Sequence, residues 1–253
     1  MKLTISNVSM RFGGVVALNN VSMTINKGEI MGLIGPNGSG KSTLFNVITG
    51  FYRATAGDFY INEEKMTSMR PHQITDHGLT RTFQNLNLFK NMTVLENTLV
   101  GLHCRTSSEL RHFFVNPRKI QKEEASSRQT ALSILKDLGL DSYINELARN
   151  LPYGIQKRLE IARALATSPY FLLLDEPAAG LNMVETKALQ ENIKKIVDKG
   201  IAVLLVEHNM RLVMNICKRI NVLNNGEKIA EGSPDEITND PLVVEAYLGK
   251  RRQ

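Results

Sequence analysis

Apolar and polar positions recur with two different periods along the chain, and the period changes twice. Near the N-terminus, Leu3 to Ser9 and Val21 to Ile25 alternate with period two, as half-buried strands do. Asn26-Lys27-Gly28 turns the chain into an unbroken apolar run, Ile30-Met31-Gly32-Leu33-Ile34, which predicts a strand. Leu44 to Thr49 reads as a helix stopped by Gly50, and Ala56 to Ile61 as a further strand with its turn. The middle is helical. Thr93-Val94-Leu95-Glu96 forms a capping box, in which hydroxyl and carboxylate each satisfy a backbone N–H, and the helix it opens runs towards Gly101. Residues 102–122 have no clean period, which leaves an irregular insertion or short helical pieces. Ser126 to Leu138 places Ala131, Leu132, Ile134, Leu135 and Leu138 on one helical face, with Gly139 after it.

The last third alternates strand and helix. Phe171 to Leu174 is continuously apolar, as a buried parallel strand requires, and so is Ile201 to Val206. Helices are predicted from about Met183 to Lys199, ending at Gly200, and from Asn209 to Cys217. Arg219–Leu223 and Glu227–Ala230 flank Asn224-Asn225-Gly226, a hairpin signal. Ser233-Pro234-Asp235-Glu236 starts one more helix, with a second capping box and proline in its first turn. The fold class is α/β: residues 1–87 and 166–253 make the core, and about 88–165 make an inserted helical subdomain.

Composition narrows the setting. The 253 residues suffice for one large domain, or for a core with a subdomain, and 42% hydrophobic with 22% charged residues is ordinary for a soluble protein. No apolar run reaches the ~18 residues of a membrane span, and Met1 to Ser6 alternates like a strand instead of carrying the apolar core of a signal peptide. Two distant cysteines, Cys104 and Cys217, fit a reducing, cytoplasmic setting. The net charge of +6 raises the question of nucleic acid. Most cations are interspersed with acids; only between residues 105 and 122 do Arg105, Arg111, Arg118, Lys119 and Lys122 outnumber Glu109. No base-stacking aromatic motif accompanies them, so nucleic acid is not expected as a partner and an anionic membrane surface is the better match.

The chemistry concentrates at Gly35-Pro36-Asn37-Gly38-Ser39-Gly40-Lys41-Ser42-Thr43, which fits G-x-x-x-x-G-K-[ST] between a predicted strand and a predicted helix. Glycines at 35, 38 and 40 let successive N–H groups turn into one hollow; Lys41 would sit on the β- and γ-phosphates, and the Ser42 hydroxyl on Mg²⁺. The plain alternative is a surface turn, but chance yields such a match in roughly 1% of chains this long, and the flanking strand and helix favour nucleotide. Leu172 to Leu174 delivers Asp175 and Glu176 at a strand end, where open α/β sheets bind ligands. Asp175 suits the metal shell, and Glu176 suits a general base facing the attacking water. Val206-Glu207-His208 ends another strand in the same way, which lifts His208 above His72, His77, His103 and His112. Gln84, just before the helical stretch, can touch metal or water and report nucleotide state to the insertion. Leu151-Pro152-Tyr153-Gly154-Ile155 opens a basic helix from Gln156 to about Ala166, with Gly154 at an anion-favouring helix start.

Taken in order, these motifs resemble those of ABC transporter ATPases: an aromatic near the N-terminus (Phe12), the Walker A loop, the Q-loop (Gln84), the signature (Leu151–Ile155), Walker B (Phe171–Asp175) with Glu176, the D-loop (Ala179–Asn182) and the switch His208. Tyr153-Gly154 followed by Arg158–Leu165, the segment Glu176–Asn182, and the end Asn239-Asp240-Pro241 through Glu245–Gly249 are most similar to one ATPase of branched-chain amino-acid importers, the one with an insertion near 102–122. The resemblance implies a RecA-like P-loop core with an antiparallel β portion. It implies ATP and Mg²⁺ held between one subunit's Walker A loop and another's signature. The implied partners are a second ATPase subunit, transmembrane permeases and, indirectly, a solute-binding protein, with this subunit peripheral on the cytoplasmic face of the inner membrane. A soluble ABC ATPase usually carries a coiled coil or two ATPase domains, and a P-loop kinase or GTPase would share only Walker A. Two segments depart from the family. Pro152, Tyr153 and Ile155 replace the Ser, Gly and Gln of L-S-G-G-Q, and Asn182 replaces the D-loop aspartate. Both lie where two subunits meet, so a heterodimer is expected.

Overall fold

The structure is a computed structural model describing residues 1–103 and 117–248. Cys104, Arg105, Glu109 and Arg111 in the expected insertion, and Gly249 at the chain end, lie outside the described residues.

Two sheets form. Strands β1 (Lys2–Phe12), β2 (Val15–Asn26), β4 (Ala56–Ile61) and β5 (Glu64–Lys65) make an antiparallel sheet in the order β2-β1-β4-β5. Strands β3 (Ile30–Ile34), β6 (Leu79–Arg81), β7 (Phe171–Asp175), β8 (Ala202–Val206), β9 (Arg219–Asn224) and β10 (Glu227–Gly232) make the second, in the order β10-β9-β3-β8-β7-β6. Every pairing in it is parallel except β9 with β10.

The unbroken apolar runs follow from burial on both faces. Along β3, Ile30 and Ile34 face one core while Met31 and Leu33 face the other; along β7, Leu172 and Leu174 oppose Phe171 and Leu173. The second of these cores is closed by α1 (Lys41–Ile48), through Leu44, Phe45, Val47 and Ile48, and by Leu3, Ile5 and Phe59 of the antiparallel sheet. The first is closed by helices, among them α3 (Val94–His103), α4 (Pro117–Asp137), α5 (Tyr153–Ala166) and α6 (Met183–Asp198).

Several details differ from the expectations, beginning with β2 and α4, which start earlier, at Val15 and Pro117. The helix α3 passes through Gly101 instead of stopping there. A Cβ at that position would lie 2.3 Å from the Arg163 carbonyl oxygen, so this glycine is where α3 and α5 touch backbone to backbone. The helix α5 begins at Tyr153, which puts Gly154 and Ile155 in its first turn. Finally β5, β6, α2 (Pro71–Asp76) and α9 (Pro241–Leu248) went unforeseen, whereas α7 (Met210–Ile216) and α8 (Pro234–Asn239) lie within the expected spans. The β9–β10 hairpin turns on Asn225 and Gly226 at φ 47° and 82°, the left-handed pair that a two-residue hairpin uses.

Candidate nucleotide site

Four neighbouring parallel strands end at one edge of the second sheet, and each delivers a segment. β3 runs into Gly35, β8 into Glu207 and His208, β7 into Asp175 and Glu176, and β6 into Thr82 to Gln84. Segments separated by up to 173 residues in sequence, from Gly35 to His208, thereby converge.

The loop after β3 curls as its glycines allow. Gly38 and Gly40 have φ of 78° and 105°, and a Cβ on Gly40 would meet the Ala17 carbonyl oxygen at 2.7 Å. Among the described residues, the N–H groups of Gly38, Gly40, Lys41, Ser42 and Thr43 have no hydrogen-bond acceptor, which is the donor array an anion fills at a helix start. Asn37 precedes this array, and Ser39 N–H turns back to Pro36 O at 3.2 Å. The Lys41 ammonium lies inside the curl, 2.8 Å from Gly35 O and 2.9 Å from Pro36 O. Burial pulls its pKa below the usual lysine range, and Glu176 and Asp175 pull it back up. The tip of the β9–β10 hairpin braces the loop from behind, with Gly226 N–H donating to Ser39 O at 3.0 Å.

Glu176 is the hub. Gln84 Nε2 donates to its Oε2 at 3.1 Å, and His208 Nε2 lies 3.0 Å from its Oε1. Its backbone is left-handed at φ 48°, a cost held only where surroundings fix it. That backbone is held by Glu176 N–H to Val206 O at 2.9 Å and by Ala179 N–H to Glu176 O at 3.2 Å, while the neighbouring Glu207 accepts from Ala178 N–H at 2.6 Å and from His208 N–H at 3.1 Å. Glu207 is 4% exposed; burial raises its pKa, its N–H partners oppose that, and Glu176 adds to the rise.

Asp175 is bound by a residue that the sequence reading passed over. Arg81 Nη2 donates to Asp175 Oδ2 at 2.6 Å and Nη1 to Asn46 Oδ1 at 2.6 Å, while the guanidinium lies between the rings of Phe45 and Phe83. No local signal in the sequence marks it, because Arg81 meets Asp175 across 94 positions and on a strand of three residues. The donor set suits Mg²⁺: the Ser42 hydroxyl, a carboxylate oxygen of Asp175 and the Gln84 amide oxygen are hard oxygen ligands, too few for a protein cage and right for an ion shared with phosphates.

Two expected site residues stand apart. Phe12 is 44% exposed and meets Tyr52 edge to face at 5.3 Å, which makes an aromatic platform on the antiparallel sheet. Gly154 lies at the start of α5, where a Cβ would fall 2.4 Å from Glu185 Oε1. Asn182, in the D-loop, caps α6: its side chain accepts from Glu185 N–H at 3.0 Å, and Glu185 Oε2 accepts the Asn182 N–H at 3.0 Å.

Comparison with known proteins places this geometry. Residues 18–179 match the ABC transporter family, and residues 227–252 match the family described as branched-chain amino acid ATP-binding cassette transporter. The chain is 44% identical to the high-affinity branched-chain amino acid transport ATP-binding protein LivG of Salmonella typhimurium, over 98% of both chains. It is 41% identical to BraF of Pseudomonas aeruginosa, a protein of the same description, over 98% of both chains. The crystal structure of the ADP conformation of an ATP-binding cassette of an ABC transporter superposes with a TM-score of 0.85 at 36% identity, covering 99% of this chain and 100% of that one. A dimeric post-hydrolysis cassette bound to ADP and inorganic phosphate aligns with a TM-score of 0.76 at 29% identity, over 92% of this chain and 98% of that one. With a glycine-rich loop, an acidic strand end and a histidine on one sheet edge, and a family match across well over half its length, the chain belongs to the ABC transporter family of ATP-binding cassettes.

Proposed function

We propose that this chain binds and hydrolyses ATP to energise a membrane importer of branched-chain amino acids. The observation that carries the reading is Glu176, held between Gln84 and His208 at the edge where the Lys41 loop opens. Gly35 to Thr43 receive the phosphates through backbone N–H groups and Lys41. The Phe12–Tyr52 pair is the platform for the base. Ser42, Asp175 and Gln84 would hold Mg²⁺, which would supply charge neutralisation for the phosphates. Glu176 takes the proton of the attacking water, and His208 fixes the orientation of that carboxylate. Residues 88–165 form the helical subdomain that meets the permeases. The subunit is peripheral on the cytoplasmic side of the inner membrane and is served indirectly by a solute-binding protein; among the described residues no helix is long and apolar enough to cross a membrane.

A second ATPase subunit completes the site, and a non-identical one is favoured. Pro152 lacks an N–H, Ile155 lacks an amide side chain, and the Glu185 carboxylate stands against Gly154. An acid at that position repels a γ-phosphate, so this chain's signature is a weak half-site. Its Lys41 and Glu176 work against a stronger signature on the partner.

The test is Glu176→Gln. General-base catalysis contributes about 10²–10⁴ in rate, so hydrolysis should fall by that much while ATP affinity stays within about threefold. Hydrolysis at the normal rate would remove Glu176 from the role. Uptake of radiolabelled leucine by cells carrying the variant, against the same cells with the parent chain, tests the transport assignment.

A further inference from the structure

Tyr153 stands where the common signature has glycine, and it makes contacts a glycine cannot make. Its ring, 45% exposed, lies over Gly180 of the D-loop and also faces the Lys157 ammonium, which is 5.8 Å from the ring centroid. Lys157 is 3% exposed and donates to the backbone oxygen of Gln84 at 3.2 Å. The side chain of that same glutamine holds Glu176 at 3.1 Å. Two more residues on the same face of α5, spaced three apart, grip the same strand-to-helix segment. Glu160 accepts from Phe83 N–H at 3.3 Å; Arg163 donates to Asn87 O at 2.5 Å and lies over the Phe89 ring. The signature helix is therefore fastened to residues 83–89 at three points, and one fastening carries an exposed aromatic at its outer end.

We propose that Tyr153 and Lys157 are positioning residues that pass the state of the signature surface to this chain's own Glu176 through Gln84. The inference rests on the reading of that surface as the face that meets a second cassette. When the face is covered, the exposed Tyr153 ring is pinned against the already buried Lys157 ammonium, where a cation against a ring is strongest because water is excluded. Lys157 is then held in one place, the Gln84 backbone with it, and the Gln84 amide keeps the Glu176 carboxylate turned to its water. The signature serves the opposing ATP site while its flank steadies the catalytic carboxylate of its own site, so the two sites sense each other.

The experiment is a double-mutant cycle on ATP hydrolysis, with thermal unfolding measured alongside. Lys157→Met keeps the stem and removes the donor. It should lower kcat about fivefold or more, the scale of ordinary coupling energies, with KM changed less than about twofold. Lys157→Arg should restore at least about half of the loss. In the Gln84→Ala background, Lys157→Met should lower kcat by less than about twofold further, because its route is already cut. Tyr153→Gly should follow the same non-additive pattern; its side chain is exposed, so it carries the test if Lys157→Met does not fold. An undiminished fivefold loss in the Gln84→Ala background, or no loss from either single variant, overturns the proposal. If Glu176→Gln abolishes hydrolysis while the cycle is additive, this inference alone fails; if Glu176→Gln leaves hydrolysis intact, the reading beneath it fails.

Discussion

Arg81→Met would cut the cation out of a pair that lies almost wholly out of water. The two side chains are 9% and 4% exposed, so solvent screening does little. Breaking a buried pair by removing one partner costs about 3–5 kcal/mol, because a bare carboxylate remains. Two adjustments follow from the contacts. Arg81 Nε has no hydrogen-bond partner, so its removal returns about 1–3 kcal/mol of desolvation. Against this, the guanidinium leaves the rings of Phe45 and Phe83, 5.3 and 5.4 Å away, each contact worth about 0.5–1 kcal/mol or more. The two adjustments nearly cancel, and the net loss is about 3–4 kcal/mol. For a chain of this length that lowers Tm by roughly 6–16 °C. The assay is urea unfolding in EDTA without nucleotide, repeated with Asp175→Asn added. The asparagine removes the stranded charge, so the double variant should be at least about 1.5 kcal/mol more stable than the sum of the two single losses implies. Additive losses, or an Arg81→Met cost below about 1 kcal/mol, would refute the argument that this ion pair organises the strand ends.

Lys41→Ala removes the ammonium from the cradle. Charge-assisted hydrogen bonds are worth about 1.5–3 kcal/mol each, so Mg-ATP affinity measured by calorimetry should fall at least about tenfold per lost contact. Gly101→Ala would place a methyl 2.3 Å from a backbone oxygen. It should destabilise by about 1–3 kcal/mol, reversing the usual gain of alanine over glycine inside a helix, and denaturant midpoints will show the sign. Burial raises the pKa of both Glu160 and Glu207 above the ordinary 4.5, so the folded state keeps their protons to higher pH than the unfolded chain does. Their contribution is complete below pH 4.5 and is lost as pH rises through the raised values. Replacing both with glutamine should flatten the fall of Tm above that pH, and a scan from pH 4 upward reads it.

Three strands of the parallel core were legible because β3, β7 and β8 each carry an unbroken run of four or five apolar positions, with both faces buried, bounded by turn residues. The phosphate loop was legible because glycine spacing, lysine and hydroxyl fall within nine residues. Capping boxes at Thr93 and Ser233 were equally local, and both form. What stayed hidden was either short or distant. β6 has three residues and takes its identity from pairing with β7, so no period could announce it. Arg81 gains its meaning from Asp175, and Lys157 from Gln84, across 94 and 73 positions. Gly101 looked like a stop because glycine ends helices more often than it joins them. Neither Gly154, which stands against Glu185, nor Phe12, which stands against Tyr52, touches the cluster around Glu176.

The position of β3 between β8 and β9 also sets the order in which the protein can be made. Both neighbours of this strand come from residues 202–224, so during synthesis Ile30–Ile34 waits for nearly 170 more residues. At ordinary elongation rates that delay is roughly 10–30 s. For that time an apolar strand with two open edges, and with its Ile30–Ile34 face still waiting for the helices that cover it, has no strand partner of its own, the condition under which chains join edge to edge. Fragments that stop before residue 202 should therefore aggregate, and the phosphate cradle should be among the last parts of the molecule to form.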